Sequence, residues 1–543
     1  MRHTKFVHSF LEDSADSFPD KPALLDGRRR CGFAELNGAA NRLARLLLKL
    51  GLKKGERVAL YIENSMEYVV TYYAVLKAGG VAVALNTENT ADDTSYIVAN
   101  CGARFLVTDE KMCRKRSLPA EDGEFGKVFV RPPSLESVLL WSDAQRRKPG
   151  SRCEATVLLP RDMEQESLAN PGLRLIDLDI AAIVYTSGST GKPRGVVLSH
   201  LNIVSNTRSI VDYLELTSED RIMVVLPFYY IYGKSLLHTH FYVGGSVVID
   251  NRFLYPDVIL ETMLREEVTG FAGVPSTFSI LLRRSNLRRC KFDKLRYVTQ
   301  AGGSMGPCLQ KQVAEAFAPA RLYVMYGTTE ASPRLSYLDP EDLPRKWGSI
   351  GKAIPNVELY IADPEGRALP AGVEGEIVAR GSNIMCGYWN DPEATAQALR
   401  HGVYHTGDLG RMDDEGFIYV IGRMNDLIKI GGNRVSAKEI EEAICEHPAV
   451  VEAAVIGEPD DLLGEAPKAF VVVNGSDGAR IIEELPAFLR QRLAGYKIPK
   501  SYEVRDTIPK SESGKVQKLR LKADSARMRD RRNESASAVR RSL

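Results

Sequence analysis

Residues 186–195, with the sequence TSGSTGKPRG, combine residue types that bind anions. The ten residues contain three glycines, four hydroxyl side chains, Lys192 and Arg194, and no acidic residue. Glycines allow successive backbone N–H groups to point at one anion, and the hydroxyl and cationic side chains add donors and positive charge. A flexible surface turn would need no such combination. The stretch therefore predicts a loop that binds an anionic group.

The loop does not match the P-loop of kinases and many ATPases. That motif has a glycine five residues before its Gly-Lys pair and a hydroxyl residue directly after the lysine. Here these two positions hold Thr186 and Pro193. A P-loop also joins a strand to a helix, whereas the apolar stretches 181–186 and 195–199 on either side both have strand composition. A kinase or P-loop enzyme is therefore a poor explanation.

Four further motifs follow this loop in the chain. They are YGTTEAS at 326–332, YHTGDLG at 404–410, IGRMNDLIKIGGNRVSAKEIE at 421–441 and PKSESGKVQK at 509–518. Together with the loop, in this order, they resemble the signature motifs of the adenylate-forming superfamily of acyl-CoA synthetases, aryl-CoA ligases, luciferases and peptide-synthetase adenylation domains. The resemblance extends from about residue 10 to residue 522. Five motifs in order make a chance match negligible.

This resemblance implies a reaction in two steps. A carboxylate attacks the α-phosphate of ATP to give an acyl-adenylate and pyrophosphate, and a thiol then attacks the acyl carbon and releases AMP. The implied ligands are ATP, Mg²⁺, and coenzyme A or the phosphopantetheine of a carrier protein. Such an enzyme acts by positioning its substrates and neutralising charge, without a covalent nucleophile of its own.

The resemblance implies that two of the motifs bind the phosphates and the metal. The loop would surround the β- and γ-phosphates with Thr186, Ser187, Gly188, Ser189, Thr190, Gly191 and Lys192. Thr329 would donate to the α-phosphate, with Gly327 and Thr328 beside the nucleotide. Glu330 would bind Mg²⁺, which prefers hard oxygen ligands and bridges phosphates.

The resemblance also assigns the adenosine. Tyr326 would stack on adenine, and the backbone of Gly302 and Gly303 would pass beside the base, where a side chain would not fit. Asp408 would accept hydrogen bonds from both ribose hydroxyls through its two oxygens. Arg423 would reach the ribose or a phosphate.

The remaining roles lie near the C-terminus. Lys515 would catalyse adenylation by bridging the carboxylate oxygen and the α-phosphate. Gly431 and Gly432 would line a tunnel for pantetheine, after a rotation that replaces Lys515 by the loop at 429–434. The hinge position is Asp or Lys in most members of the superfamily and is Asn425 here. Asn tolerates unusual backbone conformations, so rotation is still expected, at a rate that the resemblance does not give.

Alternating elements must position these residues. Short apolar runs rich in strand-forming residues alternate with stretches of helical periodicity at 33–49 and 66–77, which is typical of α/β folds with largely parallel sheets. The strand-like runs are 57–62, 81–85, 104–109, 181–186, 221–227 and 245–250. Residues 111–170 lack either pattern and predict loops or an insertion. We expect layered sheets with flanking helices.

The chain divides into three predicted regions. Residues 1–424 form a large N-terminal AMP-binding domain, and 425–522 form a small, mobile α+β domain. Within the small domain, Ser436 and Glu439 have the spacing of a helix capping box. Residues 523–543 are rich in Arg, Ser and Ala without an apolar face, so we expect a disordered basic tail.

Composition narrows the class of protein. The 543 residues are 44% hydrophobic and 26% charged with a net charge of +2, which is ordinary for a globular protein and gives no sign of a nucleic-acid partner. The eight cysteines are scattered, which argues against a disulfide framework and a structural zinc site. No signal peptide and no stretch near the roughly 20 apolar residues of a membrane span is present, so we expect a cytoplasmic protein without an integral membrane segment.

The acid substrate is less well defined. Aromatic and apolar residues at 227–241, 271–278 and 301–306 suit an apolar fatty or aromatic carboxylic acid, although core packing explains many of them. No Asp or Glu occurs from 222 to 249, where relatives that activate amino acids place an acid, so an α-amino acid is disfavoured. Lys234 could pair with an anionic group of the substrate, but extension to solvent is favoured. His238 and His240 are expected to be satisfied core or helix-face residues rather than catalysts.

Three hypotheses therefore stand. The first is an acyl- or aryl-CoA synthetase, and the second is an acyl-AMP ligase that loads a carrier protein. The third is a non-catalytic nucleotide-binding paralogue. The joint presence of Thr329, Glu330, Asp408 and Lys515 argues against the third.

Overall fold

The structure is a computed structural model. It describes residues 5–116, 132–142, 157–186, 192–430, 433–460, 462–474, 477–510, 516–518 and 520–528.

The first large sheet has nine strands, of which the central six are parallel. In spatial order the strands are Lys352–Ala353, Ser336–Leu338, Arg321–Tyr326, Tyr297–Gln300, Gly270–Gly273, Arg221–Val224, Ser246–Ile249, Pro22–Asp26 and Arg29–Gly32. The strands that end at Gln300 and Tyr326 lie side by side, so the segments that follow them meet at one edge of the sheet.

The second large sheet has eight strands and contains the anion-binding loop. In spatial order they are Gly387–Tyr388, Arg194–Ser199, Ile180–Thr186, Val81–Ala84, Arg57–Tyr61, Phe105–Asp109, Ser137–Trp141 and Val157–Leu159. The strands before and after the loop are antiparallel neighbours, and Thr186 pairs with Arg194. The expectation of a strand-to-strand loop, rather than a P-loop, is confirmed.

Helices cover both sheets and also separate them. The strand Arg57–Tyr61 has helices on both of its faces. Val58 and Leu60 belong to a core shared by both sheets, whereas Ala59 and Tyr61 pack on the opposite face. The helices of the large domain are Ser9–Ser17, Phe33–Lys49, Met66–Lys77, Ala91–Cys101, Glu110–Arg116, His200–Leu214, Ile231–Val243, Pro256–Arg265, Pro275–Arg284, Pro307–Ala316 and Pro392–Ala398. The predicted layered α/β fold is confirmed.

A third, antiparallel sheet completes the large domain. Its strands are Val357–Ala362, Glu374–Gly381, Leu399–Arg400, Val403–Met412 and Ile418–Arg423. The chain then passes through one short turn, Met424–Asp426, into the small domain. That domain has the strands Leu427–Ile430, Asn433–Ser436, Val450–Asp460, Gly464–Val473 and Ser501–Val504 and the helices Ala437–Cys445 and Gly478–Arg490.

Two regions differ from the sequence predictions. Residues 111–170, expected to form loops or an insertion, include the strands Ser137–Trp141 and Val157–Leu159 at the edge of the second sheet. Residues 520–528 are helical where disorder was expected from residue 523. Leu521 is fully buried in a small apolar cluster with Phe470, which gives this helix a packing partner that its composition does not reveal. Across the described ranges, no helix is both long and apolar enough to cross a bilayer.

Candidate active site between the two domains

A cavity of about 270 Å³ lies where the two domains meet. The large domain lines it with residues that include Gly302, Gly303, Tyr326, Gly327, Asp408 and Arg423. The small domain lines it with residues that include Ser436, Lys438, Glu441 and Lys518. Six of the residues predicted to bind nucleotide are therefore brought together from four separate stretches of the chain.

Asp408 is the buried anionic centre of this cavity. Its side chain is 6% exposed, and Arg423 donates from Nε to Oδ1 at 2.8 Å. The Tyr326 hydroxyl donates to Oδ2 at 2.5 Å. Burial, and next the charge of Asp408, raise the pKa of Tyr326 well above its ordinary value, so the phenol stays a donor. Asp408 and Arg423 face each other across neighbouring strands, which fixes this pair.

Two glycines also line the cavity. Gly302 has φ +83°, a left-handed conformation that favours glycine, and a Cβ there would lie 3.1 Å from Val274. A Cβ on Gly303 would lie 3.3 Å from Pro275. A side chain at either position would meet Val274 or Pro275, so packing favours glycine in this part of the cavity wall; the predicted approach of a base to these glycines stays a prediction.

Glu330 is positioned by a residue that the sequence did not single out. The Tyr388 hydroxyl donates to Glu330 Oε1 at 2.8 Å, and the Arg194 guanidinium lies 5.9 Å from the Tyr388 ring centre. Burial, and next the charge of Glu330, raise the pKa of Tyr388 above its ordinary value. Tyr388 thus connects the end of the anion-binding loop with Glu330.

The segment around Tyr388 has no catalytic residue type, which is why it was missed. Its backbone is nevertheless hydrogen-bonded to Glu330 and to the end of the anion-binding loop. Met385 N–H donates to the Glu330 carbonyl at 2.8 Å, and Trp389 N–H donates to the Gly195 carbonyl at 2.7 Å. The only signal in the sequence is an aromatic pair, Tyr388 and Trp389, after Gly387.

The residues near Glu330 fit a magnesium ion better than a transition metal. Within the described part of the chain, no group of three or more His, Cys, Asp or Glu residues could hold a metal ion. Glu330 supplies a single hard carboxylate, and Mg²⁺ commonly binds through one or two carboxylates together with phosphates and water.

The small domain contacts the cavity through one helix and the segment after residue 515. Lys518 Nζ lies 2.8 Å from Glu441 Oε1, and Lys438 Nζ donates to the Val420 carbonyl at 2.5 Å. Burial raises the pKa of Glu441, and the adjacent Lys518 ammonium opposes that rise. The Lys438 contact fastens the small domain against the last strand of the large domain, whereas the Lys518–Glu441 pair lies within the small domain.

Other predicted residues lie outside the cavity lining or outside the described residues. Thr328 hydrogen-bonds to the Tyr404 hydroxyl at 3.0 Å, Thr329 begins the short helix that contains Glu330, and Lys192 is exposed 5.7 Å from the Tyr96 ring centre. Eight predicted residues fall outside the described ranges: Ser187, Gly188, Ser189, Thr190, Gly191, Gly431, Gly432 and Lys515.

The prediction for Lys234 is wrong, and those for the two histidines agree with the structure. Lys234 is fully buried, and its ammonium has no hydrogen-bond partner in the described structure. Helix Met66–Lys77 packs over it and places the Tyr72 ring centre 5.0 Å from Nζ. His238 and His240 are buried and hydrogen-bonded to the Tyr72 and Tyr297 hydroxyls, at 2.8 Å and 2.9 Å.

Comparison with known proteins identifies the family. The family model of the AMP-binding enzymes matches residues 11–389, and that of the AMP-binding enzyme C-terminal domain matches 439–515. A long-chain-fatty-acid–CoA ligase of Bacillus subtilis is 33% identical over 95% of this chain and 94% of its own. A feruloyl-CoA synthase of an Amycolatopsis species is 32% identical over 92% and 95%.

A solved structure shows the same arrangement of domains. An anthranilate CoA ligase in complex with anthranoyl-AMP has 26% sequence identity and a TM-score of 0.86, over 96% of this chain and 97% of its own. The relatives act on different acids at similar identity, so overall similarity does not assign the acid. On these matches, which span both domains, the chain belongs to the AMP-binding enzyme family.

Proposed function

We propose that this protein is an AMP-forming carboxylate–CoA ligase that uses ATP and Mg²⁺ to activate an apolar fatty or aromatic acid. The observation that supports this most is the cavity between the domains, which a fixed, buried carboxylate, Asp408, lines together with Gly302 and Gly303. That combination suits a ribose and a planar base.

The adenosine would bind through preformed partners. Both oxygens of Asp408 are oriented by Tyr326 and Arg423, and a carboxylate oxygen can accept more than one hydrogen bond. The ribose hydroxyls would add to this network without rearranging it. Tyr326 would keep its ring beside the base while its hydroxyl stays on Asp408. Preorganised groups of this kind bind without the cost of ordering the site.

The phosphates would lie between the loop and Glu330. The described ends of the loop, Thr186 and Arg194, pair with each other, and Arg194 is linked to Glu330 through Tyr388. A magnesium ion on Glu330 would neutralise phosphate charge when bound. Thr329, adjacent to Glu330, would donate to the α-phosphate.

Lys515 would bring positive charge to the reacting carboxylate. Lys518 lines the cavity, and three residues of extended chain span at most about 11 Å. On chain length alone, Lys515 would be able to reach the cavity from this position of Lys518. An ammonium there would bridge the two anions that must approach each other, the acid and the α-phosphate. The thiol step would follow when the small domain turns Gly431 and Gly432 towards the cavity.

The test is a substrate screen. Fatty, aromatic and short carboxylic acids would each be incubated with ATP, Mg²⁺ and either CoA or a phosphopantetheinylated carrier protein, and pyrophosphate release measured. We expect acid-dependent pyrophosphate release and a thioester on CoA. A thioester on the carrier protein alone would assign the second hypothesis. Absence of pyrophosphate with every acid would contradict the proposal and favour a binding protein.

A further inference from the structure

Residues 283–296 form a strongly basic segment of the surface. The segment contains seven Lys and Arg residues and a single acid, Asp293, although the whole chain has a net charge of only +2. Arg296 is paired with Asp220 at 2.8 Å. The other six cations are exposed and form no ion pair with an acid of the described ranges: Arg283, Arg284, Arg288, Arg289, Lys291 and Lys294. The segment thus presents positive charge that its surroundings do not balance.

Two large apolar side chains are exposed beside this basic segment. Leu254 is 92% exposed and Tyr255 is 66% exposed, directly before the helix Pro256–Arg265. The first turn of that helix contacts the basic segment, because Asp257 Oδ1 accepts a hydrogen bond from the Asn286 backbone N–H at 2.7 Å. Four of the arginines lie within three residues of Asn286. Three residues of chain span at most about 11 Å, so the apolar pair and the arginines share one region of the surface.

Buried neighbours hold this region in place. Leu281 and Leu287 belong to an apolar cluster of the first sheet, and Phe253 packs against the same cluster. Between them, the Ser285 hydroxyl donates to the Leu281 carbonyl at 2.6 Å, and Leu287 N–H donates to Ser285 Oγ at 3.2 Å. The backbone that carries the arginines and the apolar pair is therefore fixed without a ligand.

The basic segment is separate from the cavity between the domains. The helix Pro275–Arg284 begins at the cavity, where a Cβ on Gly303 would lie 3.3 Å from Pro275, and it ends in the basic segment. A helix of ten residues is about 15 Å long. None of the six exposed cations lines the cavity. They are therefore not part of the proposed nucleotide site, and their charge is available to another anion.

We propose that Leu254, Tyr255 and the basic segment form a docking surface for an anionic lipid bilayer. Guanidinium groups bind phosphate through paired N–H donors, which suits lipid headgroups. Leucine and tyrosine side chains enter the boundary between headgroups and acyl chains. A soluble phosphate compound would use the arginines but would gain nothing from the exposed apolar pair.

The position of the surface gives docking a consequence. The cavity lies one helix length from the surface, so a docked enzyme would be held close to apolar acids dissolved in the bilayer. An acidic protein surface would attract the same arginines without supplying such acids. Docking itself does not depend on the proposed ligase function.

Sedimentation with vesicles tests the docking surface. The full-length protein would be mixed with vesicles of phosphatidylcholine, or of phosphatidylcholine and phosphatidylglycerol in equal amounts. We expect an affinity about ten-fold higher or more for the mixed vesicles, because each basic side chain near an anionic surface adds attraction. That affinity should fall as salt is added, since ions screen the charges. Equal affinity for the two kinds of vesicle, or binding to neither, would overturn the proposal.

Two double variants separate the charges from the apolar pair. R288Q/R289Q should lower the affinity for mixed vesicles by about ten-fold and weaken its salt dependence. L254S/Y255S should lower the affinity while the salt dependence remains, because only apolar contact is lost. All four side chains are exposed, so the melting temperatures should match that of the wild type. Unchanged affinity in both variants would contradict the docking surface.

The matched control removes two arginines elsewhere. R174Q/R411Q deletes the same charge from exposed positions and should bind mixed vesicles like the wild type. A loss equal to that of R288Q/R289Q would show that only net charge matters and would overturn the proposal. So would a protein that ignores vesicles but binds an acidic carrier protein through Arg288 and Arg289. Pyrophosphate release from a water-soluble acid needs no vesicle and reports on the ligase function separately.

Discussion

At the scale of single residues, the site holds its two key acids with phenols. Tyr326 donates to Asp408 and Tyr388 donates to Glu330, so each carboxylate has a fixed orientation without a ligand. A neutral phenol orients a carboxylate without cancelling its negative charge, whereas a lysine or arginine partner would neutralise that charge. For Glu330 this leaves the negative charge available to a cation. We therefore expect the two phenols to contribute to catalysis although neither reacts.

Tyr388→Phe tests this for Glu330. Loss of one hydrogen bond to a charged group should lower kcat/KM for ATP by about ten-fold, because Glu330 would no longer be oriented. The Mg²⁺ concentration that gives half of the maximal rate should rise, which a purely structural defect would not cause. Tyr360→Phe, in the antiparallel sheet, is the matched control and should leave both quantities unchanged. An unaltered Mg²⁺ dependence in Tyr388→Phe would contradict this role.

Lys515→Ala separates the two half-reactions. We expect it to lose most acid-dependent exchange between ATP and pyrophosphate, by about 100-fold or more, because the approach of two anions is no longer assisted. It should still form thioester from supplied acyl-AMP. Lys510→Ala, which removes a lysine of the same segment that pairs with Glu452 at 2.8 Å, should retain both activities. Unchanged exchange in Lys515→Ala would assign adenylation to another residue.

Lys234 should make stability depend on pH. Burial lowers its pKa from 10.5 to about 7 in the folded protein. Between these values the unfolded chain keeps the proton that the folded protein has lost, so the free energy of unfolding rises with pH by up to about 1.4 kcal/mol per unit. Below about pH 7 both states are protonated and the full cost of the buried charge is present.

The measurement compares wild type with Lys234→Met. Its neighbours His238 and Tyr72 are unchanged in the variant, so the difference between the two unfolding free energies isolates Lys234. That difference should become more favourable to the wild type between pH 7.5 and 9.5, a range chosen to lie inside the window of about 7 to 10.5. A difference independent of pH would show that the buried amine does not titrate there.

At the scale of elements, long segments with a clear periodic pattern were predicted well from the sequence, whereas a short strand within a polar region was not. The helices 33–49 and 66–77 are found with those bounds, because long periodic patterns are strong signals. The strand Ser137–Trp141 was missed, since five residues within a polar region carry no periodicity. The burial of Lys234 was predicted wrongly for a different reason. The sequence can indicate that Lys234 lies on a helix, but it does not show that another helix, Met66–Lys77, packs over this residue.

The same limit applies to the site. Residues with reactive side chains, such as Asp408 and Glu330, were predicted from motif resemblance. Tyr388 could not be, because its role comes from the pairing of Gly387–Tyr388 with the strand after the anion-binding loop. That pairing joins residues almost 200 positions apart, so only the folded chain reveals it.

Gly327→Ala tests how tightly these elements pack. A Cβ at Gly327 would lie 1.8 Å from the Pro333 carbonyl oxygen, so backbone must move. We expect a loss of about 3 kcal/mol in the free energy of unfolding, or failure to fold. Gly495→Ala is the control, since a Cβ there meets nothing within 4 Å, and its stability should change by less than about 0.5 kcal/mol. Equal stability of the two variants would contradict the packing described for Gly327.

At the scale of the whole molecule, a few contacts set the position of the small domain. Lys438 and Ser436 both donate to carbonyls of the strand Ile418–Arg423, at 2.5 Å each. Ser304 Oγ lies 3.5 Å from Glu442 Oε1. Among the described residues these are polar contacts without a large shared apolar core, and interfaces of this kind permit domain rotation. The proposed two-step reaction needs such a rotation.

A disulfide across the interface tests that need. A Cβ on Gly306 would lie 3.6 Å from Glu442 Cγ, so Gly306→Cys combined with Glu442→Cys places two thiols within bonding reach. Oxidation should lower overall thioester formation by about ten-fold or more while one half-reaction continues, and reduction should restore it. Each single substitution is the control and should respond to neither treatment. Full thioester formation by the oxidised double variant would show that no rotation is required.

The cavity has walls from both domains, and this has a kinetic consequence. A nucleotide bound in this cavity as proposed would touch the small domain as well, so nucleotide affinity and domain closure would be thermodynamically linked, each strengthening the other. AMP can then escape no faster than the domains separate. We expect this opening to limit turnover on good acid substrates, to make AMP a slow-leaving product, and to let the enzyme retain its adenylate instead of releasing it to water.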